Sequence, residues 1–274
     1  MSGTPAAGAR PSGSPRSEGA PATAAMRGAA TRGPALWGPA LAIARRELLS
    51  AFGVGAGWVV VALFLLPCGV VFTVGTFRNG EPASMRAVFE AAAWILLFVA
   101  PAISMRTLSD ELRLGTFETL TTAPVGDGSI VLGKFIAALV TLAAMLAPTL
   151  VLAAGLEAHG RPDWGELACG YFGLLLAGAL YLAAGILAST FSASQLVAYL
   201  LAFFFWLTVA LCCRLLPTIA SAGWADFLYA ADPLRRLRDF TIGLLDTANV
   251  VYFVVLTAFF LAASTASLRA RRSA

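Results

Sequence analysis

Charge is scarce in this sequence: 12% of its 274 residues are Asp, Glu, Lys or Arg, about half the share found in ordinary globular proteins. With 59% of the chain apolar, that scarcity excludes a water-soluble domain of this length. Histidine is rarer still. His159 is the single one, so there is no H-E-x-x-H motif, and Glu157, Asp163 and Glu166 around it read as a solvated turn without the spacing of a metal site. The four cysteines, Cys68, Cys169, Cys212 and Cys213, sit in or beside apolar runs, lack C-x-x-C spacing and read as small buried hydrophobes. No G-x-S-x-G elbow and no pair of intramembrane carboxylates is present, which removes the hydrolase chemistries those groups serve. The net charge of +4 is modest, and nucleic acid is not an expected partner.

What the chain has instead is apolar residues in uninterrupted blocks, and a helix needs ~20 of them to cross ~30 Å of hydrocarbon. Residues 1–35, rich in Ser, Gly, Pro, Ala and Thr, cannot repay the entropy of ordering and are expected to form a disordered cytoplasmic tail. They lack the apolar core of a cleavable signal, so insertion is expected through the first span. Residues 36–274 form the membrane domain, an all-α protein of six transmembrane helices. The spacing of Trp37, Leu41, Ala44 and Leu48 predicts an interfacial helix before the first span. The spans follow at Trp58–Phe77, Val88–Met105, Ile130–Leu156, Leu167–Ala188, Gln195–Leu216 and Asn249–Leu268. In the connection before the sixth, Asp232-Pro233 supplies an N-cap and a first-turn proline. Leu234, Leu237, Thr241 and Leu244 then form an apolar stripe opposite Arg235, Arg238 and Asp239: an amphipathic helix on the outer leaflet, partly inside it, or a lid.

Basic residues set the orientation. Arg45, Arg46, Arg106, Arg113, Lys134, Arg269, Arg271, Arg272 and the arginines of the tail fall on one side; Arg78, Arg86, Arg161, Arg214, Arg235, Arg236 and Arg238 fall on the other. The first set is the larger, so both termini are expected in the cytoplasm of a cell whose plasma (inner) membrane the chain spans several times. Glu90 and Arg214 lie beside apolar runs near the outer ends of their spans, where an ionisable group either snorkels to water or faces a substrate path. Gly178, Ala184, Gly185 and Ala188 make the fourth span a surface for close helix contact, within one subunit or across a dimer.

Between spans two and three, Gly115 frees the backbone to turn, Thr116 is a candidate cap with Glu118 in the first turn behind it, and Pro124 stops the chain beyond. Two readings fit that spacing: a short helix that docks a partner at the inner surface, or a solvated loop joining two spans. The pattern Glu111, Gly115-Thr116, Glu118, Leu120, Pro124, then Gly133-Lys134-Phe135, resembles the signature of ABC-2 family transporter permeases, most closely the gliding-motility-type branch. Arg46-Glu47-Leu48, Ser189-Thr190, Gln195-Leu196-Val197-Ala198 and Asp239-Phe240…Gly243…Asp246…Tyr252-Phe253 are similar to it as well. The resemblance implies a six-helix permease that works as a dimer, with a second permease subunit, the same or homologous, and two copies of a separate ABC ATPase docked beneath. In that reading Glu111, Gly115, Thr116, Glu118, Leu120 and Pro124 belong to a cytoplasmic coupling helix. ATP and Mg are bound and ATP is hydrolysed on the partner, with no cofactor on this chain. Gly128 to Lys134 matches G-x-x-x-x-G-K, but Phe135 stands where a phosphate-binding loop needs Ser or Thr, and no strand precedes it. The competing functions are a membrane anchor that recruits a soluble complex, and a secondary transporter, whose internal repeats and midplane charges are not evident.

Overall fold

The structure is a computed structural model that describes residues 37–53, 55–75, 84–109, 127–157, 163–219 and 221–273. All the regular structure among them is helical. In chain order the α-helices are α1 (Trp37–Gly53), α2 (Ala56–Gly75), α3 (Arg86–Ser104), α4 (Asp127–Leu146), α5 (Thr149–Glu157), α6 (Trp164–Phe191), α7 (Gln195–Leu215), α8 (Ala222–Ala231), α9 (Pro233–Thr241) and α10 (Thr247–Ser273). Six stretches are long and apolar enough to cross a bilayer: Gly57–Gly75, Arg86–Ser109, Asp127–Glu157, Trp164–Phe191, Gln195–Thr218 and Thr247–Arg271. The expected six-span all-α architecture is therefore present, with the interfacial helix α1 before it. An even number of crossings puts α1 and the end of α10 on one side of the bilayer, called here the near side. The starts of α3 and α6 lie on the far side.

The bundle is organised around α6. In hydrocarbon no water drives helices together, so their contact depends on how closely the backbones approach. Glycine is what allows it here. A methyl group built on Gly173 would stand 2.6 Å from Phe240 Cβ, and one on Gly185 would stand 2.9 Å from Ser104 Cβ. Gly170 and Gly178 receive Phe89 and Leu142 in the same way. The small residues of the fourth span thus face α3, α4 and α9 of the same subunit. As a result 72% of the α6 window is buried, against 11% for α10, whose apolar face is left to lipid or to another chain.

The third span is not one straight rod. Pro148 has no N–H to donate, and α4 gives way to α5 through shortened bonds, Leu150 N–H to the Ala147 carbonyl and Val151 N–H to the Pro148 carbonyl, both at 3.1 Å. Thr149 braces that break: its hydroxyl donates to the Leu146 carbonyl at 2.6 Å and lies 2.9 Å from the Tyr171 hydroxyl on α6. Pro101 sits within α3, which pauses for one residue at Met105 and resumes over 106–109.

Helix α1 packs on the bundle through its small residues. Ala40 and Ala44 are buried, whereas Leu41 is 57% exposed. The reason is Gly133 on α4, where a methyl group would lie 2.7 Å from the Ala40 carbonyl oxygen. Only a small-residue face of α1 can approach that closely, so the helix turns its alanines inward and Leu41 outward. The far-side helix α9 forms as expected, with the Asp232 carboxylate accepting from Leu234 N–H at 2.9 Å. Its stripe is buried at Leu237 and Thr241 and continues through Phe240, while Leu244, past the positive-φ turn at Gly243, is 57% exposed. Helix α8 has no counterpart among the expected elements.

These contacts give a double-variant prediction. Gly185→Ala forces its methyl into Ser104 and should cost about 1–3 kcal/mol. Ser104→Gly added to it should restore most of that loss. Unfolding in detergent measures both; if the two losses simply add, α3 and α6 do not meet at these residues.

Candidate functional site

Glu111, Gly115, Thr116, Glu118, Leu120 and Pro124 lie outside the described residues. What frames them is described: the last turn of the second span, 106–109, and the start of α4 at Asp127. These two ends are tied to each other and to α1 by Lys134. Its side chain is buried, 2% exposed, although lysine seldom is unless paired. The ammonium donates to the Thr107 carbonyl and stands 3.4 Å from Glu47 Oε1 on α1. Gly133 beside it lets α1 come near enough for Glu47 to reach.

Further bonds extend this joint. The Thr107 hydroxyl donates to the Ser104 carbonyl at 2.6 Å and lies 3.2 Å from the Ser189 hydroxyl at the end of α6. Next to it the Thr190 hydroxyl is 3.0 Å from that of Ser267, and Arg271 donates to the Phe191 carbonyl at 3.2 Å, which fastens α10 to the same place. Glu47, Lys134 and the pair Ser189-Thr190 are far apart in the chain and meet within one near-side cluster. Lys134, read from sequence as a marker of the inner interface, is an internal tie. The G-x-x-x-x-G-K match is helical from Asp127, so the amides from Val131 to Lys134 are committed to the helix and cannot wrap a phosphate.

At the far side the structure brings Glu90 and Arg214 to one cleft of about 360 Å³, between α3, α7 and the pair α8 and α9. Glu90 pairs with Arg238, with 3.7 Å between Oε1 and Nε. Arg214 lies over the Trp94 ring at 5.6 Å, and Arg235 over that of Tyr229 at 4.4 Å. Sequence reasoning placed Arg235 and Arg238 only on the polar face of a surface helix. What brings them over the cleft is the burial of Leu237 and Phe240, which lays α9 against α6 and fixes the opposite face. Asp239 accepts from Asn249 Nδ2 at 2.8 Å, and Tyr252 Oη donates to the Ala231 carbonyl at 2.6 Å, so the connection is held to the start of α10. Outside the cleft, Arg86 grips Glu166 through two bonds of 2.8 and 3.1 Å, joining the starts of α3 and α6.

Residues 41–271 match the family described as ABC-2 family transporter protein, a stretch that takes in all six spans, the Lys134 joint and the far-side cleft. The chain belongs to the ABC-2 transporter family. It is a multi-pass membrane protein. Two curated relatives, both named probable multidrug ABC transporter permease YbhR, come from Escherichia coli strain K12 and Escherichia coli O157:H7. Each is 27% identical over 140 residues, 51% of this chain, and the match covers 38% of the relative's own length. Of the residues that carried the resemblance, those among the described residues have places in this ABC-2 fold: Glu47 and Lys134 hold α1 to the bundle, Ser189 and Thr190 lock the end of α6, and Phe240, Gly243 and Tyr252 fold the far-side connection.

Removing the Lys134 tie should free α1. Lys134→Ala leaves the Thr107 carbonyl and the Glu47 carboxylate without the ammonium, a loss of about 1–3 kcal/mol. Amide hydrogen exchange across 40–50 should then speed up by ~10-fold or more in the purified protein. Unchanged exchange there would mean that helix packing alone holds α1.

Proposed function

We propose that this chain is the permease subunit of an ATP-binding-cassette exporter, forming the substrate path while a separate ATPase subunit supplies the energy. One observation carries the reading: the family match over residues 41–271 includes a buried lysine that ties together both ends of the segment a partner would push. A push on residues 110–126 meets Thr107 on one flank and the start of α4 on the other, and Lys134 links both to α1. Force applied there is therefore shared among three helices instead of bending one loop. A packed element of this kind has discrete arrangements, as a switching transition needs.

In this reading the segment holds a coupling helix, with Gly115 making the turn, Thr116 capping it, Glu118 in its first turn, Pro124 ending it, and Glu111 and Leu120 completing the docking face. Two ATPase copies bind ATP and Mg, and a second permease subunit, the same or homologous, completes the path across ~30 Å of hydrocarbon. ATP hydrolysis belongs to the partner. The near side is the cytoplasm, since Arg45, Arg46, Arg269 and Arg271 gather there, and the membrane is the plasma (inner) membrane. Residues 1–35, expected to be a tail, lie outside the described residues. Within the family, the Glu111 to Phe135 pattern favours the gliding-motility-type branch, and the multidrug activity in the relatives' name stays with those relatives.

The test is reconstitution with a candidate ABC ATPase subunit. Gly115→Val and Glu118→Lys should each leave membrane insertion intact, lower co-purification of the ATPase and cut its coupled turnover by ~10-fold. Full docking and full turnover in both variants would reduce the segment to a connector. An ATPase that binds while no substrate crosses liposomes would favour a membrane anchor instead.

A further inference from the structure

We propose that the far-side cleft between α3, α7 and α9 binds the head group of an anionic phospholipid. This inference stands on the cleft itself and not on the export reading. Three guanidinium groups line the cleft, those of Arg214, Arg235 and Arg238, against two carboxylates, Glu90 and Asp232. Asp232 already serves as the N-cap of α9 through its bond to Leu234 N–H. Glu90 meets Arg238 at 3.7 Å across an open surface, where both side chains are more than half exposed, at 51% and 60%. Such a pair is weak and leaves most of the arginine's donors available. Among the described residues, no carboxylate stands within ion-pairing distance of Arg214 or Arg235.

Aromatic rings hold those two cations instead. Trp94 and Tyr229 orient the guanidinium planes without cancelling their charge, so the site is positive and partly pre-organised. The fork of N–H donors on arginine matches the oxygens of a phosphate. Beneath this rim the wall is apolar, formed by Phe89, Ala93, Ala210 and Leu237. A small inorganic anion would leave that wall unused, whereas a phosphate carrying an alkyl chain would cover it.

Depth in the bilayer and size agree with a lipid. Trp224 and Phe227 on α8 are each 63% exposed and Ile219 before it 83%, the pattern of a helix lying in the membrane–water boundary. The cleft opens beside that helix, at the level where head groups lie. Its volume of about 360 Å³ is near the lower end for ligand pockets, room for a head group and the first methylenes. The acyl chains would continue down the exposed apolar side of α7, past Leu215 and Leu211. A zwitterionic lipid would add its own ammonium to three arginines, so the site should discriminate on charge.

Native mass spectrometry of the purified full-length chain in detergent tests this, with phosphatidylglycerol and phosphatidylcholine as probes and dodecyl phosphate and inorganic phosphate as competitors. Phosphatidylglycerol should bind ~10-fold more tightly than phosphatidylcholine, and Arg214→Gln with Arg235→Gln should erase that preference. Dodecyl phosphate should displace the lipid at concentrations where inorganic phosphate does not. Glu90→Gln removes the one carboxylate facing Arg238 and should tighten binding, a gain that misfolding cannot produce. Arg86→Gln, which breaks only the pair with Glu166, should leave affinity as it is. Equal affinity for the two lipids, an unaltered double variant, or no gain from Glu90→Gln would each overturn the proposal. Displacement by inorganic phosphate as effective as by dodecyl phosphate would overturn the lipid assignment in favour of a free-anion site.

Discussion

Close approach of helix backbones is the constraint from which the rest of this structure follows. Lipid tails are as apolar as leucine, so burying leucine against leucine gains little, and the bundle must be held by dispersion contacts that improve steeply with proximity. The residues that permit proximity are concentrated in α6, where Gly170, Gly173, Gly178 and Gly185 each admit a side chain from a different part of the fold. Because α6 takes Phe89 and Ser104 from α3, Leu142 from α4 and Phe240 from α9, it fixes three helices relative to one another at once. The same rule operates at the near-side edge, where Gly133 draws in α1.

Polar groups are placed where that packing leaves an obligation. Within the spans, Ser104, Thr141, Thr149, Ser189, Thr190 and Ser264 each donate to a carbonyl three or four residues earlier, and Thr149, Ser189 and Thr190 also meet a hydroxyl of a neighbouring helix. Charge is kept to the two ends and treated differently at each. On the near side a lysine is buried and joined to a carbonyl and a carboxylate, an arrangement that specifies one geometry. On the far side arginines remain at an open cleft, steadied by aromatic rings. The first is suited to hold a joint and the second to receive something.

The parts of this architecture that were legible in the sequence are those fixed by local physics. Block length gave the spans, and Asp232-Pro233 gave the start of α9, because hydrocarbon thickness and capping act over a few residues. The face by which α1 packs was not legible. The spacing of Leu41 and Ala44 marks an apolar stripe for the interface, and it is the partner glycine on α4 that selects Ala40 and Ala44 for contact with the bundle. Helix α8 escaped for a similar reason: Trp224 and Phe227 serve it by facing outward at the boundary, so no inward stripe announces it. Lys134 was visible as a motif residue, yet its burial depends on Glu47 and Thr107 from two other elements, and no local spacing records that. Glu90 and Arg214 stand out in the sequence as ionisable groups beside apolar runs, but their shared cleft depends on the docking of Phe240 into α6.

One helix carries both polar sites. Glu90 and Trp94 line the cleft from the far-side half of the second span, and Thr107, in its last turn, accepts the Lys134 bond at the near side. Between them the only irregularities are Pro101 and the pause at Met105, both close to the joint. The segment from Glu90 to Ala100 is uninterrupted and rests on α6, so it can shift only as a body. Any coupling between a ligand at the cleft and the arrangement of the joint would run through this helix, and linkage would make it reciprocal. In this fold α3, held by the glycine face of α6, is the element common to the two sites, which need no contact with each other to share it.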